Sequence, residues 1–165
     1  MKFTPRQFVN HVNSLKSSFK SEITESLIAM AELAENTFDK NFETESFVGK
    51  GGKWKKNTDS TRDKKGRDKK ILQDSGKLRD SKEKHFFTTS AYKGVRIEYT
   101  GLTHRKGSGM FDYAKAMNEG FVHKQAGKIP ARPFIGYTSQ LHNKLGVILK
   151  GSMRKLFSTN YNLGR

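Results

Sequence analysis

No cysteine occurs anywhere in the 165 residues. Disulfides, thiolate metal sites and cysteine nucleophiles are therefore excluded. Long hydrophobic runs are missing too, and no stretch approaches the ~18 consecutive apolar residues of a membrane span. The opening Met1-Lys2-Phe3-Thr4-Pro5 leads into an amphipathic pattern and not an apolar stretch, so no signal peptide is expected. Hydrophobic residues make up only 33%, against the ~45–50% usual in globular domains, a figure that also counts glycine. A modest core is expected, with part of the chain in exposed loops. Acidic residues are scarce: 16 Asp and Glu stand against 32 Lys and Arg, a formal charge of +16. Such an excess implies an anionic neighbour, whether nucleic acid, an acidic protein surface or a membrane face. It does not choose among them, and no zinc-finger, ribonucleoprotein or basic-zipper spacing accompanies it.

Catalytic patterns are also lacking. The five histidines, His11, His85, His104, His123 and His142, form no HExxH or other tight metal spacing. There is no GxSxG nucleophile elbow. Gly49-Lys50-Gly51-Gly52-Lys53 is glycine-rich but lacks the Gly-Lys-Ser/Thr ending of a phosphate loop. Asp74 and Asp80 flank a turn, and a turn-forming role explains Asp74 without invoking a two-carboxylate site. No enzyme activity and no cofactor or metal are expected.

What is present is organised by period. Thr4, Pro5 and Gln7 make an N-cap, a first-position proline and a capping-box partner. Phe8, Val12, Leu15 and Phe19 then mark one helix face. Ile23, Leu27, Ala31, Ala34, Phe38 and Phe42 hold a second stripe from about Ser21 to Phe42, either a second helix or the continuation of one bent helix. From Gly49 to Lys70 the period vanishes, and the chain reads as a loop or flexible arm. It carries ten basic residues (Lys50, Lys53, Lys55, Lys56, Arg62, Lys64, Lys65, Arg67, Lys69 and Lys70), three acids and one large apolar residue, Trp54. A solvated loop would explain the charge. Contact with phosphates would also explain it, and would be steeply salt-dependent. Trp54 can anchor the arm by burying its ring.

Asp74-Ser75-Gly76 reads as a tight turn with Leu72 and Leu78 as flanking core anchors. Phe86–Thr89 and the alternating Val95, Ile97 and Tyr99 predict two strands, joined by a turn at Ala91–Gly94. Residues 101–109 read as a basic loop. Met110–Glu119 reads as a helix with Tyr113, Ala114 and Met117 on one face, capped by Gly120. In Ile129-Pro130-Ala131-Arg132-Pro133-Phe134-Ile135, the prolines bias their neighbours to extended backbone, fixing Arg132 between rigid residues. Arg132 is expected to pair with a carboxylate of its own chain or of a neighbouring subunit. Phe134 is expected to plug the core. Thr138 or Ser139 caps a last helix built on Leu141, Leu145, Ile148 or Leu149, and Leu156, and residues 158–165 are expected to fray.

These segments together resemble the phage virion morphogenesis family, which includes the tail-completion protein of Mu-like phages. The resemblance runs from about Phe42 to Gly136. It rests on Asn41-Phe42, Phe47, Gly49 and Trp54, then Leu72, Asp74-Ser75-Gly76, Leu78-Arg79 and Ser81. Tyr113-Ala114, Glu119-Gly120 and the specific piece Ile129-Pro130-Ala131-Arg132-Pro133-Phe134-Ile135-Gly136 complete it. Ser75 stands where the family has Thr, and Asn118-Glu119 stands where His-Gln is common. The resemblance implies an α+β domain over 1–165, with N-terminal helices and a C-terminal helix packed on a small antiparallel β-sheet. Its parts would be a helical stretch 1–45, a long basic loop 49–70, sheet and helices 71–157, and a tail 158–165. It implies a structural protein of the virion, assembled in the host cytoplasm, with a role in tail completion or termination and head–tail joining. Expected partners are further copies in a hexameric ring, the tail tube and neck or connector proteins, without a membrane. Contact with genomic DNA in the channel would give the basic residues a purpose. The alternative is a basic nucleic-acid-binding module acting by itself.

Overall fold

The computed structural model describes residues 4–47, 52–66, 69–73, 75–89, 91–100, 103–106, 109–124 and 127–161. It opens on helix α1, Pro5–Thr44. The capping box closes as its residue types require. The Gln7 backbone N–H donates to Thr4 Oγ1 at 3.3 Å, and the Thr4 N–H donates to Gln7 Oε1 at 2.9 Å. The two apolar stripes belong to one helix and not to separate helices. No glycine or proline falls between residues 6 and 44 to interrupt it.

The chain folds as two compact units, Met1–Leu33 with His142–Arg165, and Ala34–Leu141. The first unit holds most of α1 and most of the last helix, α5, Ser139–Tyr161. Ala31 and Leu156 are buried in it, and the rings of Phe19 and Phe157 meet edge-on at 6.3 Å. Lys155 Nζ lies 2.9 Å from Glu22 and 3.6 Å from Glu25. The hydrogen bond from Lys155 holds the Glu22 carboxyl below its ordinary range, and the same bond raises the Lys155 ammonium. α5 is capped by Thr138, whose Oγ1 accepts the Leu141 N–H at 3.1 Å. It runs past Ser158 to Tyr161, where fraying was expected. Leu156 and Phe157 are anchored just before that point, and no glycine or proline intervenes. Ile148 is half-buried while Leu149 stays exposed, which resolves the choice between them.

The second unit contains α2 (Asp59–Lys65), α3 (Lys77–Asp80), β1 (Lys82–Thr88), β2 (Lys93–Tyr99), β3 (Thr103–Lys106), β4 (Gly109–Asp112), α4 (Tyr113–Glu119), β5 (Phe121–His123) and β6 (Gly127–Ile129). The fold class is α+β. Among the described residues the β structure is three separate two-stranded antiparallel sheets, β1–β2, β3–β4 and β5–β6. In the first, Lys82 pairs with Tyr99, Lys84 with Ile97 and Phe86 with Val95. Val95, Ile97 and Tyr99 are half-buried and Arg96 is exposed, while Glu98 is half-buried as well, so the expected alternation holds only in part.

β1 begins at Lys82, earlier than its apolar pattern indicates. Lys82 Nζ sits 2.7 Å from Asp39, and Lys84 Nζ sits 2.8 Å from Glu35. Residues two apart on a strand and four apart on a helix both span about 6–7 Å, so the two ion pairs match rung for rung.

Three stretches correct the sequence reading. The basic arm holds a short helix, α2. The loop expected over 101–109 is largely the β3–β4 hairpin, whose pairing needs only backbone groups and leaves no hydrophobic period to read. That hairpin takes residues 110–112 from the expected helix. α4 instead begins at Tyr113, with Asp112 Oδ1 accepting the Lys115 N–H at 2.9 Å.

The core of this unit is Phe42, Trp54, Ile71, Leu78, Ala114, Met117 and Phe134. Phe42 is its centre, with ring centroids 5.8 Å from Trp54 and 5.1 Å from Phe134.

Candidate functional site

The segment from Pro130 to Gly136 has no regular structure, so its backbone groups need partners from elsewhere. Side chains supply most of them. The Arg132 N–H donates to the Met117 carbonyl at 2.9 Å. The Pro133 carbonyl accepts the Trp54 indole N–H at 2.9 Å. Asn118 Oδ1 accepts two backbone N–H groups, from Phe134 at 3.0 Å and Ile135 at 3.2 Å. Asn41 Nδ2 donates to the Phe134 carbonyl at 3.0 Å. Phe134 and Asn41 are both fully buried. Pro130 and Pro133 are half-buried, and their fixed geometry leaves the segment extended and ready for these bonds. Gly120 lets the segment approach. Its φ is +79°, and a Cβ there would lie 2.7 Å from the Ala131 nitrogen.

Arg132 corrects an expectation. It is buried, and its described acceptors are neutral: Nε and Nη2 reach the Lys55 carbonyl at 3.3 and 3.2 Å, and Nη2 reaches Asn57 Oδ1 at 2.8 Å. No carboxylate stands among them. Burial lowers the guanidinium pKa from its ordinary value, with Tyr113 opposing the shift. Within its own chain the fork holds the backbone of the arm at Lys55 and the side chain of Asn57.

The basic arm is fastened at both ends. At one end are Trp54 and the Arg132 fork. The Trp54 backbone N–H donates to the Glu45 carbonyl. At the other end Ile71 is buried, its N–H donates to Glu45 Oε1, and Lys70 Nζ donates to the Glu43 carbonyl at 3.3 Å. Lys53, Lys55, Lys56, Lys64, Lys65, Lys69 and Lys70 are exposed along it. Arg62 is half-buried and lies 3.4 Å from Asp59. Lys50, Arg67 and Asp74 lie outside the described residues.

The remaining motif residues fall where structure needs them. Gly76 adopts φ +73° at the start of α3, which places Leu78 in the core. Leu72 packs on that core half-buried, at φ +61°, while its neighbour Ile71 is the buried anchor. Arg79 is exposed beside Asp80 at 3.2 Å. Tyr113 packs on the core from the start of α4. Sequence reading placed Asn41 and Asn118 in the family resemblance without giving either a role, and passed over Asn57. The one hint was a polar Asn41 beside Phe38 and Phe42 in an otherwise apolar stripe.

One cavity, of about 370 Å³, is lined by Asp39, Glu43, Arg79, Asp80 and Lys82. Its charges are largely paired with one another, Asp39 with Lys82 and Asp80 with Arg79. Among the described residues no cluster of His, Asp and Glu is arranged to hold a metal ion.

The phage virion morphogenesis family matches the chain over residues 5–153. The chain belongs to this family. It is a bacteriophage morphogenesis protein associated with the virion. The match takes in α1, the arm, the Pro130–Gly136 segment and most of α5. Comparison with curated proteins and with solved structures gives no match. No helix among the described residues is long and apolar enough to cross a membrane.

Proposed function

We propose that this morphogenesis protein finishes the tail and joins it to the head, working at the virion neck as a ring of identical subunits around the DNA channel. The family match over residues 5–153 carries the reading. The geometry agrees with a structural part. Trp54, Gly76, Leu78, Gly120, Pro133 and Phe134 all serve packing or backbone holding. Two of the cavity's three carboxylates, Asp39 and Asp80, are held in ion pairs. The fastened arm, with its exposed lysines, offers such a ring a positively charged face.

Electron microscopy of lysates from a phage lacking this gene tests the proposal. Filled heads beside separate tails are the expected result. Overlong or ragged tails would make the protein a terminator, which keeps it at the tail end. Normal infectious particles would overturn the reading.

A further inference from the structure

We infer that the fastened basic arm is a preformed strip for the phosphate backbone of duplex DNA, gripping it without regard to base sequence. The inference deepens the neck reading by naming the ligand, and it rests on that reading only for where DNA is met.

The first observation is how the arm is held. Its fastenings use the Trp54 ring, backbone groups of Trp54, Lys55 and Ile71, the Asn57 side chain and, at the far end, the Lys70 ammonium. They do not use the ammonium groups of Lys53, Lys55, Lys56 or Lys64, which stay exposed. In extended chain, neighbouring side chains alternate faces, so burying Trp54 turns Lys53 and Lys55 outward. Further along, Arg62 neutralises Asp59 at 3.4 Å within α2, and Lys64 and Lys65 end that helix. A strip ordered before binding loses little entropy when it docks.

The second observation is what the strip lacks. Trp54 is the sole aromatic residue between positions 48 and 85, and it is buried. Single-strand binders stack bases on exposed aromatics, and none is offered here. Guanine reading in the major groove relies mainly on bidentate arginine; among the described residues, Arg62 of the arm is paired and Arg132 beneath it is buried. Lysines act as point charges, which suits phosphates and carries no base information. Among the described residues of the arm no large hydrophobic side chain is exposed. A protein partner would want such anchors at the centre of its interface, whereas a phosphate backbone does not.

Fluorescence anisotropy of the full-length protein with short labelled duplexes, across a salt series, tests this. Wild type should bind duplexes of unrelated sequence with equal affinity, and bind single strands no more tightly. Two quadruple variants separate strip from bulk charge. One carries Lys53→Gln, Lys55→Gln, Lys56→Gln and Lys64→Gln. The other carries Lys115→Gln, Lys128→Gln, Lys144→Gln and Lys150→Gln, exposed lysines outside the arm.

The strip variant should flatten the slope of log affinity against log salt by about 3–4, at ~0.9 per phosphate contact. The second variant should leave it nearly unchanged. Unaltered Trp54 emission reports that the arm is still seated. Equal losses from both variants, absent binding at low salt, or a preference for single strands would overturn the inference. So would equally effective competition by polyglutamate, which would reassign the strip to an acidic protein. Deletion microscopy reads particles, whereas this titration reads purified protein, so either idea can fail alone.

Discussion

At the scale of single residues, asparagines hold the site together. Asn118 gives one oxygen to two backbone N–H groups. Asn118→Ala should cost roughly 1–3 kcal/mol, the cost of leaving part-buried donors without an acceptor. Asn118→Asp keeps the oxygen and should lose less; urea unfolding compares the two. Tyr99 is the opposite case. Its hydroxyl is buried and finds no hydrogen-bond partner among the described residues. Tyr99→Phe should therefore be neutral or stabilising by up to ~1 kcal/mol in thermal unfolding. Burial pushes the Tyr99 phenol well above its ordinary value of 10, and Asp39 and Glu35 add to the shift. The folded chain then keeps a proton that the unfolded chain releases, so stability falls as pH rises past 10. Tyr99→Phe should remove that part of the alkaline slope. The apolar stripe made Phe42 legible as core. It could not reveal that Asn41, its neighbour, serves a carbonyl 93 residues away.

At the scale of elements, the match between α1 and β1 is the testable device. Glu35 is half-buried, Lys84 is exposed with its side chain partly shielded, and the two lie 2.8 Å apart. Lys84→Met or Glu35→Gln alone should cost about 1–2 kcal/mol, between an exposed pair and a fully buried one. The exchange Lys84→Glu with Glu35→Lys should recover a good part of the loss. A double-mutant cycle measures it, and strict additivity would count against the pairing. α1, α5 and the β1–β2 hairpin were readable because apolar period and caps agree there, as at Thr4–Gln7 and Thr138. β3–β4 and β5–β6 were not. Their strands are three or four residues long and are set by backbone pairing and by a glycine at 127 with φ +69°. α2 was hidden because its sequence, DSTRDKK, has no apolar residue to mark a face.

At the scale of the whole molecule, charge dominates. A formal +16 on 165 residues repels itself in the compact state. Raising salt from ~10 to ~150 mM shortens the screening length from ~30 to ~8 Å and should raise the melting temperature of the isolated protein. A falling melting temperature would mean that the ion pairs at Glu22, Glu35 and Asp39 outweigh the repulsion. The arm's charge and its tryptophan were legible from composition alone. Its fastening was not, because the residues that hold it lie far along the chain. Trp54 waits for Pro133, 79 residues later, and Lys55 waits for Arg132, 77 later. That separation has a consequence during synthesis. At ~5–20 residues per second, the lysines are made roughly 4–16 seconds before the residues that seat them. Throughout that interval the nascent arm is a loose polycation beside ribosomal and messenger RNA, and only arrival of the Arg132–Phe134 segment converts it into a fixed surface.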